Sequence, residues 1–329
     1  MKLKYIYKKS IQTVISVLLA ITISFVMAAV LPINPYYLLI AQYEQQGIPY
    51  EQAVVMASHV LSYNYNAPLY VQYITYISNI FRGNLGTSIL FGRPVIYVIA
   101  SNLPYTLFLV IASLLFSFAI GTLIGLGTAL KKGTKLEALS YVINTLLLGM
   151  PNYLIAILLV YAFVWRYPIF PTGSYSIQPS LSIDFLGNLL YHYTLPILTF
   201  ILVLFPGFAL SIRAVAVSQL NSDYVKYAEL RGIKNSRILL NYVGKNSILP
   251  TYTVVPILLG NLFVGAVFIE TIFHLNGAGE MILEAISAKD IPAMMGFFNI
   301  IILTIIVGNY VADITYSLID PRIRVGERT

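Results

Sequence analysis

Cysteine is absent from the 329-residue sequence, and histidine occurs only as His59, His192 and His274. The first absence excludes disulfides, thiolate metal ligands and cysteine nucleophiles; the second leaves little from which to assemble a metal site. Charge is scarce too. Asp, Glu, Lys and Arg make up 10% of the chain, against roughly 25% in an ordinary soluble domain. In their place stand 58% hydrophobic residues and a mean hydropathy of +0.79. So few charges cannot cover a water-facing surface, so most of the surface must face lipid or other subunits, and an all-α polytopic membrane protein is expected. The 20 Lys and Arg against 13 Asp and Glu give a formal net charge of +7. On a membrane chain this excess reads as an orientation signal, not as a nucleic-acid footprint.

A helix needs about 20 mostly apolar residues to cross a hydrocarbon core, and a charge at its centre costs roughly 2.5–3.5 kcal/mol. Gaps between charges are therefore the ruler. Long charge-free windows run 10–43, 52–81, 94–130, 138–165, 185–212, 246–269 and 291–312. Six spans are expected in them: Ile11–Leu31, Pro104–Leu130, Leu139–Val164, Thr194–Ile212, Ile248–Ile269 and Ala293–Ser317. The second window is broken by His59, Ser62, Asn64, Asn66 and Pro68 and reads as a surface segment.

Basic residues fall mainly on one side of these spans: Lys2, Lys4, Lys8, Lys9, Lys131, Lys132, Lys135, the run from Arg213 to Lys245, and Arg322, Arg324 and Arg328. The other side holds Arg82, Arg93, Arg166 and Lys289. The cytoplasmic side carries the excess, which places both termini inside a cell membrane crossed six times. The first apolar run is longer than a signal-peptide core and is followed by no small-x-small cleavage site, so it is expected to stay as a helix.

Two loops stand out. About seventy residues separate the first two spans on the outside, and Leu69, Tyr73, Tyr76, Ile77 and Ile80 recur there at helical spacing. This predicts an amphipathic helix over 68–81, lying on the membrane or on its own bundle, as packing or as a landing surface. Gly83-Asn84, Gly86 and Gly92-Arg93-Pro94 end it in turns. On the cytoplasmic side, Asn221 or Ser222 is placed to cap a helix running to about Leu230, Gly232 to end it, and Asn235 or Ser236 to cap a second. Tyr224, Ala228 and Gly232 share one face of this hairpin, where small residues let another surface approach; a resting place on anionic headgroups is the other reading.

These residues resemble a known family. The stretch Asp223-Tyr-Val-Lys-Tyr-Ala-Glu-Leu-Arg-Gly232, with Asn246 to Pro250, is similar to the coupling loop of ABC importer permeases. Further landmarks resemble their dipeptide, oligopeptide and nickel branch: Gly83-Asn-Leu-Gly-Thr-Ser88, Gly92-Arg-Pro-Val95, Leu103-Pro-Tyr-Thr-Leu107, Gly265-Ala-Val-Phe-Ile-Glu-Thr271 and Asp320-Pro-Arg-Ile-Arg324. The resemblance spans about 67–324. The chain departs from the family at Lys226-Tyr227, where an acidic residue and an alanine are usual, at Tyr242 to Lys245, at Asn84 and at Leu275-Asn276-Gly277.

The resemblance implies a permease subunit with a first helix and external segment over 1–103 and a five-helix core over 104–329, its coupling loop at about 213–247. It implies a second homologous permease, two ABC ATPase subunits carrying ATP and Mg, an extracytoplasmic solute-binding protein and surrounding lipid as partners, with no cofactor on this chain and no nucleic acid. Asp223, Tyr224, Lys226, Tyr227, Ala228, Glu229, Arg231 and Gly232 are then the ATPase-coupling residues. The solute would be a peptide or another short oligomer such as an oligosaccharide, although relatives also take nickel chelates.

The chain has no Gly-x-x-x-x-Gly-Lys-Ser/Thr run and so no P-loop of its own. Gly-x-Ser-x-Gly and His-Glu-x-x-His are missing too, which speaks against an intramembrane enzyme. Polar residues within or beside spans are candidates for the path: Glu270, Asn299, Asn309 and Asp313. Asp313 is read as a pore contact or as a hydrogen-bonded charge near the cytoplasmic interface, about 10 Å deeper than Asp320. Glu270 faces either incoming solute or the external headgroups. An ion-gradient-driven secondary transporter, with Asp313 as proton relay, is the alternative class.

Overall fold

The computed structural model describes residues 2–30, 34–60, 67–173, 182–252 and 255–319, and no strand is found among them. The helices follow in order: α1 Lys2–Val30, α2 Pro35–Gln45, α3 Tyr50–Val60, α4 Leu69–Phe81, α5 Val95–Leu130, α6 Lys135–Leu148, α7 Asn152–Val160, α8 Ile183–Leu220, α9 Asp223–Leu230, α10 Asn235–Arg237, α11 Lys245–Tyr252, α12 Val255–Phe273, α13 Ala278–Ser287 and α14 Ile291–Ile319. Wider π-helical turns continue α7 over Tyr161–Arg166 and fill Ile238–Gly244 between α10 and α11. The Asp320-to-Arg324 ending, Ser62, Asn64, Asn66 and the His59 side chain lie outside the described residues.

Among the described residues four helices are long and apolar enough to cross a membrane: Ile6–Val30, Val95–Leu130, Ile183–Leu220 and Ile291–Val311. The number rises to six if each of two broken pairs counts as one span, α6 with α7 and its π turn, and α12 with α13. The protein is thus an all-α membrane protein with up to six crossings among the described residues, and α3 and α4 do not meet that length and hydropathy.

The third expected span is corrected. It is not one rod over Leu139–Val164: its halves meet at 98° across Gly149-Met150-Pro151. Pro151 has no amide to donate and biases Met150 away from helix, so the chain restarts at α7 with Pro151 extended at φ −61°, ψ 143°. A charge-free window cannot register such a break. The second and fourth spans begin earlier than expected, at Val95 and Ile183, and take Pro104, Pro196 and Pro206 into their helices.

Two compact units partition the chain, Met1–Thr106 with Asn276–Val311, and Leu107–Leu275 with Ala312–Thr329. In the first, α4 lies against its own bundle, the second of the two expected placements. Tyr76 is buried with Ile21, Phe25, Ile291 and Met295, while Tyr73, Ile77 and Ile80 pack around them. Leu69, expected on the same face, is instead 62% exposed. In the same unit α2 and α3 pair through Leu39, Ile40, Ala53 and Ala57.

In the second unit α8 is the central element, packed by α6, α7 and α11. Gly121 and Gly125, four apart on α5, let its backbone meet α8. A Cβ on Gly121 would fall 2.5 Å from the Phe208 Cβ, and one on Gly125 2.7 Å from the Ala209 carbonyl oxygen. Small residues at this spacing are how membrane helices approach closely where hydrophobic burial supplies no drive.

Candidate functional site: the α9–α10 hairpin

The hairpin grows from the end of α8. Asn221 closes α8 and Ser222, extended at φ −76°, ψ 152°, opens α9. Ser222 was an expected capping side chain, but its hydroxyl turns back to donate to the Gln219 carbonyl at 2.5 Å. Asp223 in the first turn places negative charge at the positive end of the helix dipole. Gly232 ends the helix at φ +70°, its amide donating to Glu229 O and that of Ile233 to Ala228 O. A left-handed residue at this position suits glycine, which has no Cβ to clash. Asn235 and Ser236 do not cap the second helix: Lys234 precedes it, with no side-chain bond to its amides.

One face of α9 is fastened inward. Val225 and Ala228 are buried with Leu126 and Ala129 of α5, Ile212 and Ala216 of α8, and Ile238 and Val243 behind them. This corrects the expected use of Ala228. Its small size lets α9 seat on its own chain; it is not exposed to an incoming surface. The other face is open. Tyr227 is 67% and Leu230 83% exposed, with exposed Asp223, Lys226, Glu229, Arg231 and Gly232 around them. Lys226 and Asp223 form a largely exposed pair at 3.2 Å, which contributes little to stability.

Polar bonds fix the base. Tyr224 Oη donates to Gln219 Oε1 at 2.5 Å and accepts from Asn246 Nδ2 at 3.1 Å, tying the α8 end, α9 and α11 together. Arg213 of α8 pairs with Glu137 of α6, which also accepts from the Gly133 amide. The result is a braced element presenting an apolar ridge inside a charged rim.

The four polar path candidates each have their own surroundings. Glu270 is 1% exposed within α12. Asn299 is 2% exposed and donates from Nδ2 to Tyr76 Oη at 2.5 Å. Asn309 has a buried Oδ1 with no partner among the described residues. Asp313 is half-buried on α14. Sequence reasoning missed Tyr76 as the partner of Asn299, and missed Asp290, which is 0% exposed and caps α14 through the Ala293 amide. The signal for the second was an Asp three residues before Ala293 at the start of an apolar run.

Comparison with known proteins adds an independent line. The family model described as the inner membrane component of binding-protein-dependent transport systems matches residues 121–325. Over 276 residues the chain is 33% identical to the probable D,D-dipeptide transport system permease protein DdpB of Escherichia coli (strain K12), covering 79% of this chain and 81% of that one. It is 29% identical over 322 residues to the oligopeptide transport system permease protein AppB of Bacillus subtilis (strain 168), covering 97% and 98%. A third relative, the dipeptide transport system permease protein DppB of Lactococcus lactis subsp. cremoris (strain MG1363), is 26% identical over 328 residues, covering 98% and 99%.

Proposed function

Because the chain belongs to the family of inner membrane components of binding-protein-dependent transport systems, we propose that it is a transmembrane permease subunit of an ATP-driven importer for short peptides. Relatives over most of its length are named for dipeptides and oligopeptides, which puts peptides first and oligosaccharides second as solutes to test. The partners of this reading are a second homologous permease, two ABC ATPase subunits that bind ATP and Mg, and an extracytoplasmic solute-binding protein. Both termini and the α9–α10 hairpin lie on the cytoplasmic side, where most Lys and Arg gather.

The observation that carries the reading is the two-faced α9. Val225 and Ala228 lock it to α5 and α8, while Tyr227 and Leu230 stand out at the tip. An exposed apolar ridge with a polar rim is the mark of an interaction site, and an ATPase groove is the cover proposed. Asp223, Lys226, Glu229, Arg231 and the Gly232 turn form its rim, and Tyr224 braces it from behind. Closure of the ATPase pair would shift α9, and α9 would carry the shift into α5 and α8. The transporter is then a two-state element biased from both faces, by ATP inside and by loaded binding protein outside. Glu270, Asn299, Asn309 and Asp313 remain proposed path residues; for Asn299 the bond to Tyr76 supports a bracing part in the path wall.

The test is purification of the tagged chain in mild detergent, with mass spectrometry of its partners, followed by peptide uptake in proteoliposomes. Co-purified ATPases and ATP-dependent uptake are expected. A chain that purifies alone and takes up solute only along a proton gradient overturns the reading in favour of a secondary transporter.

A further inference from the structure

Asp290, in the turn between α13 and α14, is fully buried, and its side chain accepts from neutral donors among the described residues. One carboxylate oxygen accepts from the Ser88 hydroxyl at 2.5 Å and from the Leu90 amide at 2.9 Å. The other accepts from the Ala293 amide at 3.1 Å, capping α14. The Asp290 amide donates to the Ala285 carbonyl at 2.9 Å, closing the end of α13. Ser88 Oγ in turn accepts from the Phe91 amide at 3.0 Å. One residue therefore joins the loop between α4 and α5 to two helices some 202 positions further along the chain.

A helix cap does not require this. Asn or Ser caps as well as Asp with a single oxygen. What a carboxylate adds is a second acceptor-only oxygen able to take two donors at once, and its burial is tolerable only because those donors are present. The surplus is spent on the loop, not on the helix. Two further contacts brace the same block: Thr106 Oγ1 of α5 accepts from the Ala278 amide at 2.8 Å, and Gly296 of α14 lies so close to Val95 that a Cβ would meet its Cγ1 at 2.4 Å. The outward side of the loop carries Arg82, Asn84 and Arg93, all exposed.

We propose that Asp290 is a positioning residue for transport, clasping the 83–94 loop to α13 and α14 so that a solute-binding protein with an acidic rim, pressing on Arg82 and Arg93, moves that end of α14 with the loop. The inference rests on the importer reading above, which places this loop outside the cell. Without the clasp the loop would shift alone and the signal would stop at the surface.

The experiment uses the complete reconstituted complex with its binding protein. Asp290→Asn keeps the cap but turns an amide donor towards the Leu90 N–H; Ser88→Ala removes the loop's side-chain anchor and leaves Asp290 in place. Three quantities are read: tryptic cleavage after Arg82, since the Arg93–Pro94 bond resists the enzyme; basal ATPase turnover; and turnover stimulated by peptide-loaded binding protein. Expected in both variants are cleavage about tenfold faster, unchanged basal turnover and lost stimulation. Unchanged cleavage overturns the clasp. Faster cleavage with intact stimulation overturns its part in transport, and so does an equal fall of basal and stimulated turnover or loss of the complex, the marks of a merely structural role. A wild-type complex that its binding protein does not stimulate sinks the importer reading itself, an outcome read before any variant is compared.

Discussion

Asn299 of α14 donates a 2.5 Å hydrogen bond from Nδ2 to the phenol oxygen of Tyr76 on α4, and both side chains are buried. A helix long enough to span the membrane thus holds an amphipathic one that does not span it. The grip is assisted by the Phe25 ring of α1, 5.5 Å from that of Tyr76, and by a 2.6 Å bond between Thr22 and Tyr73.

Tyr76→Phe therefore removes the bond while keeping the ring, and leaves the Asn299 amide donor buried without its partner. The expected loss is about 1 kcal/mol, since hydrogen bonds between membrane helices are worth little more than that. A lowered melting temperature of the detergent-solubilised protein checks it. Adding Asn299→Leu to Tyr76→Phe should recover part of the loss, because the Asn299 amide is then no longer left over, although the Ser24 hydroxyl that also bonds Tyr76 still is.

The two faces of α9 separate by mutation. Leu230 is 83% exposed, so with Leu230→Ala the melting temperature should hold while ATPase subunits co-purify in smaller amount. Ala228→Leu forces extra carbons into the core against Ala216 and Ile212 and should destabilise the hairpin by about 1–3 kcal/mol. Equal retention of ATPase by the Leu230→Ala complex would remove the proposed docking ridge.

Gly232→Val places a β-branched residue at φ +70°, in open space but in a backbone region it resists, at about 1–3 kcal/mol. The chain should insert normally and assemble, with ATP hydrolysis no longer matched by peptide uptake. The uptake-to-hydrolysis ratio in proteoliposomes is the readout, and a wild-type ratio contradicts the proposed part of the turn.

Gly125→Leu should do more than any hairpin change. Its side chain meets the Ala209 carbonyl and the amide of Arg213, both backbone and unable to step aside. Membrane insertion should be unaffected, because each span is apolar by itself. Loss of the folded species by size-exclusion chromatography, with normal amounts of chain in the membrane, is the expected result.

Much was legible in one dimension. Charge-free windows located the crossing segments because a charge in hydrocarbon is expensive wherever the helix packs. The helix at 69–81 followed from Tyr73, Tyr76, Ile77 and Ile80 in helical register. The limits of α9, from Asp223 to Leu230 with the turn at Gly232, followed from local chemistry, although the side-chain caps did not form.

The sequence by itself determined that the chain is an all-helical membrane protein with a hairpin near 223–246, because lipid solvation, helical period and turn preference act over a few neighbouring residues. Tertiary structure alone decided which face of α9 turns inward, that the third span breaks at 98°, and that Tyr76 meets Asn299 and Ser88 meets Asp290. Those outcomes depend on groups up to 223 positions apart. A buried polar atom takes whichever partner the packed bundle brings within reach, and no local pattern records which one that is.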